Sequence, residues 1–320
     1  MKKKISKNIV KLEISSPARL HLGFYGIKNN YGYSYGSMGL GIKSYDTKLL
    51  INRAKNFATN LPKKYIGPII KYLKSNNIKT NININVIEKS PSHIGLGSGT
   101  QLSLCVGKII SEFLKLSLTT KNIAEIYKRG ERSGIGISVF EKGGFVLDSC
   151  KKKDMQPETL VHSKFPSAWK AILLNDTKLK GISGDKENRF FLNNKNSKKY
   201  ERELSHIVLR GILPSLAYAD FTNFANSITE FQRITALFYK KKQSGVFLSP
   251  EISKVMKYIE NFDNIGIGQS SWGPTSYIFV DSLLHAKELI SVIENKFNVY
   301  NNLSYKIVSP SNSGYKIKYN

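Results

Sequence analysis

Several things that would narrow a function are scarce in this chain. Its 320 residues include two cysteines, Cys105 and Cys150. Two thiols make no disulfide framework, and their spacing matches no zinc site. No apolar run approaches the ~20 residues that a membrane helix needs, so no membrane span is expected. The basic start Met1-Lys2-Lys3-Lys4 is followed by Ile9-Val10-Lys11-Leu12-Glu13-Ile14. That stretch alternates and carries charge, unlike the apolar centre of an export signal, so a cytoplasmic protein is expected. Acids are scarce too: 23 against 49 lysines and arginines, a net charge of +26. The surplus favours polyanions, whether nucleic acid or multiply phosphorylated metabolites. Yet the lysines are dispersed, as in Lys74-Ser75-Asn76-Asn77-Ile78-Lys79, and form no aromatic-interleaved stripe. Most of them read as solvated surface, and no nucleic-acid partner is expected.

What is present is a mixture of two periodicities. Lys11-Leu12-Glu13-Ile14-Ser15 alternates as a strand does, and Pro17 is expected to end it. Residues 23–36, rich in glycine and tyrosine, read as a loop. Strands are expected at 46–52, at 80–86 with Ile82, Ile84 and Val86 on one face, at 169–175, at 277–280 and near both 305–308 and 315–318. Helical spacing marks 61–74, 101–114, 122–129, much of 197–261 and 283–296. The segment from Val139 to Asp148 reads as a hairpin turning at Gly143-Gly144. Strands mixed irregularly with helices argue an α+β fold rather than regular βαβ alternation. Length favours two lobes, which we place at 1–165 and 166–320.

The segment Gly95-Leu96-Gly97-Ser98-Gly99-Thr100 carries the most chemistry. Glycines at 95, 97 and 99 permit positive φ and let the backbone approach a ligand closely. Ser98 and Thr100 add hydroxyl donors. The long apolar helix that follows offers unpaired N–H groups and the positive end of its dipole, which together suit a phosphate. No Lys-Ser or Lys-Thr follows the glycines, so this is no Walker loop. A second glycine- and hydroxyl-rich turn runs Gly266-Ile267-Gly268-Gln269-Ser270-Ser271-Trp272-Gly273-Pro274-Thr275.

Pro91 followed by Gly95-Leu96-Gly97-Ser98-Gly99 resembles the phosphate loop of the GHMP kinase superfamily. Ser16-Pro17-Ala18-Arg19-Leu20-His21-Leu22-Gly23 is similar to its N-terminal motif, and 266–275 to its C-terminal glycine motif. Arg132-Ser133-Gly134-Ile135-Gly136 with Phe140-Glu141-Lys142-Gly143-Gly144-Phe145 narrows the resemblance to the β-ribofuranosylaminobenzene 5′-phosphate synthases, an archaeal and methylotroph branch that is not a kinase. The resemblance implies a two-lobed GHMP-kinase-like fold, with an N-terminal lobe like domain 2 of ribosomal protein S5 and a ferredoxin-like C-terminal lobe. It implies a decarboxylating transfer of phosphoribose from phosphoribosyl pyrophosphate to 4-hydroxybenzoate or 4-aminobenzoate, a step of methanopterin-type cofactor synthesis. It also implies Mg²⁺ accompanying the pyrophosphate and no redox cofactor; for assembly, a homodimer is the common default of soluble proteins. The protein ligands of the metal are not assigned.

On that resemblance the loop residues Gly95, Gly97, Ser98, Gly99 and Thr100 cradle pyrophosphate, helped by Arg19. Arg132 pairs with the 5′-phosphate or the benzoate carboxylate. His21 meets pyrophosphate or the para substituent of the ring. Ser133, Gln269, Ser270, Ser271 and Thr275 supply neutral donors, Trp272 stacks on the ring, and Glu141 binds magnesium or a ribose hydroxyl. Two rival readings stand beside this one. An ATP-dependent small-molecule kinase of the same fold would use the same loop, but the aspartate that such kinases often place soon after a Ser-Gly pair is missing after Ser133-Gly134. A basic nucleic-acid-binding protein would account for the charge and for nothing else.

Overall fold

The protein was analysed as a computed structural model that describes residues 10–28, 32–179, 181, 197–239, 246–271 and 273–319. Two long antiparallel strands, β1 (Lys11–Lys28) and β2 (Tyr33–Arg53), form its backbone. The ribbon stays paired from Lys11↔Asn52 to Lys28↔Ser34, with irregularities at Ser16/Ala18, His21/Gly23 and Phe24/Gly26. Pro17 therefore does not end β1. It sits in the first irregularity, where the ladder asks for no N–H from it. Likewise most described residues of the expected loop at 23–36 are strand, with Gly23, Phe24, Gly26 and Lys28 paired to Met38, Ser37, Gly36 and Ser34 across a bulged ribbon.

These irregularities bend the ribbon so that its two halves serve different cores. Leu12, Ile14, Leu49 and Ile51 pack under α1 (Lys63–Ser75) and α2 (Ser98–Phe113). Leu20, Leu22, Phe24, Met38 and Leu40 pack against the C-terminal half of the chain. Beside β2 lies β4 (Ile82–Glu88), with the two-residue β3 (Ala58–Thr59) at the edge. Next come α3 (Thr120–Ile126) and α4 (Ile135–Lys142), then β5 (Phe145–Asp148), β6 (Lys151–Lys152) and β7 (Thr159–Ser163). The hairpin expected at 139–148 is thus a helix followed by a strand. Buried Ile135, Ser138 and Val139 follow helical spacing, and Gly143 and Gly144, with φ of 66° and 67°, end the helix rather than turn a hairpin.

The second sheet comprises β8 (Lys170–Asp176), β9 (Gly266–Gln269), β10 (Thr275–Val280) and β11 (Leu303–Val308) in the antiparallel order β11-β8-β10-β9. Helical elements α5 (Ser197–Ile207), a π-helical turn (Val208–Ile212), α6 (Leu213–Ala217), α7 (Phe221–Tyr239) and α8 (Pro250–Ile259) connect β8 to β9, and α9 (Leu283–Phe297) connects β10 to β11. This is the ferredoxin-like split βαβ arrangement. Both faces of the sheet are buried, which is why its strands read as continuous apolar runs. Ile172, Leu174, Ile278 and Val280 face α8 and α9. Ala171, Leu173, Tyr277 and Phe279 face α7 and the first sheet in a core with Phe165, Trp169 and Phe224. The chain then crosses back: β12 (Lys316–Tyr319) pairs with Leu12–Ser15 of β1.

Candidate active site

The glycine loop meets β1 and the second glycine-rich turn at one place. Gly95 and Gly97 hold φ of 92° and 71°, values that disfavour a side chain. Space forbids one as well: a Cβ at Gly95 would lie 2.5 Å from the Ser270 carbonyl oxygen, and one at Gly97 would lie 2.9 Å from the Arg19 side chain. Arg19 is pinned across the loop, its guanidinium donating to the Gly95 carbonyl at 2.8 Å and its backbone N–H to Leu96 at 3.2 Å. Gly97 caps α2 without any side chain; its carbonyl accepts from the Thr100 and Gln101 N–H groups, which leaves those of Ser98 and Gly99 at the cavity wall for an anion.

That cavity holds about 410 Å³. Its walls include Ser98, Gly99 and Thr100 with Arg129 beside Gly99, then Arg132 and Ser133, and, from β1 and the second turn, His21, Phe24 and Ser271. Four cationic side chains line it, namely Arg19, Lys128, Arg129 and Arg132, against one acid, the exposed Glu131. Arg129 reaches the cavity because its guanidinium donates to Ser103 Oγ at 3.2 Å, and Ser103 in turn donates to the Gly99 carbonyl. Nothing local in the sequence marks Lys128 and Arg129. They follow a short helix that is set against α2 only in the folded protein.

Asp148 is the acid that a linear reading misses. Fully buried at the end of β5, it accepts from the backbone N–H groups of Ser37 and Gly134, both at 2.6 Å, and from Ser37 Oγ at 2.8 Å. Ser37 Oγ lies 2.7 Å from Ser133 Oγ, so Asp148 fixes the Arg132-Ser133-Gly134 rim of the cavity onto β2. Burial pushes its carboxyl up to about 7, although the donors from Ser37 and Gly134 pull the other way. The carboxylate faces these donors and does not line the cavity.

His21 is 3% exposed. Its backbone is held by Ser270 Oγ at 3.0 Å and by the Ser271 N–H at 3.3 Å, while its ring lies 4.7 Å from that of Phe24. Burial, reinforced by the charges of Arg19 and Arg132, holds the imidazole well below its ordinary range, so it is neutral at pH 7. Neither ring nitrogen has a hydrogen-bond partner among the described residues.

Other residues picked from the sequence lie behind this wall or away from it. Ser270 accepts from the His21 N–H and donates to the Gly95 carbonyl at 2.8 Å, which makes it a strut between β1 and the loop. Gln269 is bound to the Leu248 N–H at 2.7 Å and to the Ser271 carbonyl at 3.2 Å, and Thr275 is buried in β10 with its hydroxyl on Asn175. Glu141 is exposed near the C-terminal end of α4, outside the cavity. Trp272 lies outside the described residues. Cys105 is buried and its thiol is pushed up to about 12 by desolvation, as suits an inert core residue. Among the described residues no three His, Cys, Asp or Glu side chains are placed to share a metal ion, and no helix is long and apolar enough to cross a membrane.

The family model for the GHMP kinases N terminal domain matches residues 60–144, and that for the GHMP kinases C terminal domain matches residues 212–299. A beta-ribofuranosylphenol 5'-phosphate synthase from Archaeoglobus fulgidus is 30% identical over 291 residues, covering 85% of this chain and 88% of that protein. The enzyme of the same name from Methanocaldococcus jannaschii is 29% identical, covering 95% and 99%. Among solved structures, homoserine kinase from Cytophaga hutchinsonii superposes with a TM-score of 0.71 at 16% identity, covering 98% of this chain and 99% of that one. Mevalonate-3-kinase from Thermoplasma acidophilum gives 0.69 at 12%, covering 97% and 99%. At those identities the two kinases speak for the fold alone.

Proposed function

This chain belongs to the beta-ribofuranosylphenol 5'-phosphate synthase family within the GHMP kinase fold, and we propose that it joins phosphoribosyl pyrophosphate to 4-hydroxybenzoate with loss of CO2 and pyrophosphate. The phenol in the relatives' name favours 4-hydroxybenzoate over 4-aminobenzoate as acceptor. The observation that carries the reading is the cavity itself, where four cations and an uncapped helix start surround space for a ligand with two separate phosphate groups.

In this reaction the C1–O bond of the ribose breaks and pyrophosphate leaves with the electron pair. The ring carbon that bears the carboxylate forms the new C–C bond, and CO2 departs, returning its pair to the ring. Charge develops on the leaving pyrophosphate, so the fixed N–H donors of Ser98 and Gly99 and the pinned Arg19 act where they count most. Arg129 and Arg132 are set to hold the 5′-phosphate and the benzoate carboxylate. The cavity's own residues do not form a metal cage, since its walls are cationic and Glu131 is their one acid. Magnesium is therefore read as arriving on the substrate's phosphates, and no step here depends on it. We also read the protein as cytoplasmic, and its lobes as dividing near residue 165 with β12 returned to the first.

The test is to mix the protein with phosphoribosyl pyrophosphate, Mg²⁺ and carboxyl-labelled 4-hydroxybenzoate and to count released CO2. Release that depends on phosphoribosyl pyrophosphate is expected. No release, with ATP consumed against a panel of small alcohols instead, would replace this reading with a kinase.

A further inference from the structure

Behind the end of the main cavity lies a second, much smaller one of about 10 Å³, room for one water-sized group. The two share His21 and Ser271, and the small one is closed by Gln232, Thr235 and Gln269. Part of its polar lining is unsatisfied. Thr235 is 6% exposed and its hydroxyl has no hydrogen-bond partner among the described residues, and the same holds for both ring nitrogens of His21. Gln232 and Gln269, by contrast, are committed, Gln232 to the Leu22 carbonyl at 2.6 Å and to the Gln269 N–H at 3.1 Å, and Gln269 to Leu248 and Ser271. Three buried polar atoms without partners around a single-atom hole are costly unless a ligand atom or a water meets them.

The stereochemistry of the reaction says which ligand atom can reach this hole, an inference that rests on the function proposed above. Phosphoribosyl pyrophosphate carries its leaving group on the α face of the ribose, whereas the relatives are named for a β product. The ring must therefore enter from the face opposite the pyrophosphate. With pyrophosphate on the loop at 97–100, the uncharged part of the cavity wall left for the acceptor is that of His21, Phe24 and Ser271, joined to the loop through Ser270. A benzoate whose carboxylate-bearing carbon faces the ribose points its para substituent directly away from it, into that wall.

We propose that the small cavity is the para-hydroxyl subsite of the aromatic acceptor, with Thr235 and His21 as its hydrogen-bonding pair and Phe24 against the ring. A neutral imidazole suits this task, because it keeps a lone pair to accept from the phenol O–H while Thr235 donates to the phenol oxygen. The small cavity is sized for a hydroxyl, so the pair acts as a specificity determinant and takes no part in bond breaking.

Thr235→Val keeps the side-chain volume and removes the hydroxyl, whereas Thr235→Ala enlarges the hole. Inhibition constants for benzoate and 4-methoxybenzoate would be measured against 4-hydroxybenzoate turnover, with phosphoribosyl pyrophosphate affinity determined separately by calorimetry. The expected result for Thr235→Val is a kcat/KM for 4-hydroxybenzoate about tenfold lower, collapsed preference over benzoate and unchanged phosphoribosyl pyrophosphate affinity. Thr235→Ala is expected to bind 4-methoxybenzoate at least tenfold more tightly than the native protein does, a gain that a folding defect cannot produce. Native preferences retained in both variants would overturn the subsite while leaving the synthase intact, and would assign the hole to an ordered water. A native protein that releases no CO2 would instead remove the function on which the subsite rests.

Discussion

The two glycine- and hydroxyl-rich turns, 95–100 and 266–275, look alike in composition and have opposite jobs. The first presents backbone to the cavity: Gly97 caps α2 with no side chain, and the helix start is left for a ligand. The second turns its polar groups inward. Ser270 bridges His21 and Gly95, Gln269 bridges Leu248 and Ser271, Thr275 binds Asn175, and Ser271 and Gly273 reach the cavity edge. Polar composition thus says that a turn has hydrogen bonds to make, and only the surrounding elements decide whether they are made to protein or to ligand.

Substitutions at the contact between the turns should break the difference most severely. Gly95→Val puts a side chain onto the Ser270 carbonyl at positive φ, and we expect loss of activity together with destabilisation of about 2–4 kcal/mol, read by denaturant unfolding. Arg129→Ala should act on the ligand side alone. Phosphoribosyl pyrophosphate affinity should fall ten- to a hundredfold by calorimetry, with a salt dependence weaker than in the native protein and Tm little changed. Ser270→Ala should show the reverse balance, losing about 1–2 kcal/mol of stability from two buried hydrogen bonds while kcat changes less than tenfold. A large loss of phosphate affinity with unchanged stability in Ser270→Ala would mean that the second turn, too, faces the ligand.

At Asp148 the effect is read against pH. Its carboxyl titrates higher in the folded protein, about 7, than in the unfolded chain, so folding takes up a proton between these values. The stability this contributes is complete below the unfolded pKa near 4 and is lost as pH rises through about 7. Asp148→Asn should flatten that fall, whose slope is at most about 1.4 kcal/mol per pH unit. The measurement is unfolding free energy against pH for both proteins, and parallel curves would contradict the assignment.

Legibility followed the range of the interactions. The strand β4 with Ile82, Ile84 and Val86 and the glycine loop before α2 are local patterns, and both were plain in the sequence. The hairpin expected around Gly143-Gly144 failed because paired glycines end helices as readily as they turn strands, and Ile135 and Val139 pack against Gly39 and Gly41 of the distant β2. Pro17 misled for a similar reason, since a bulge in a long ribbon tolerates proline where a regular ladder does not. Asp148 stayed hidden because its donors, Ser37 and Gly134, come from two other elements. Thr235 reaches its cavity from a helix, and Arg129 from the turn after one, and helical periodicity reports only burial. The family motifs pointed to the cavity, but its charge balance and its small second chamber emerge only when β1, α2 and α7 come together.

Amide hydrogen exchange with and without saturating pyrophosphate tests the central claim most directly. If the loop at 95–100 is the pyrophosphate cradle and the turn at 266–275 its support, the amides of Ser98 and Gly99 slow strongly while those of Ser270, Ser271, Gly273 and Thr275 change little. Protection confined to Ser270–Thr275, or none at either turn under saturation, would contradict the account.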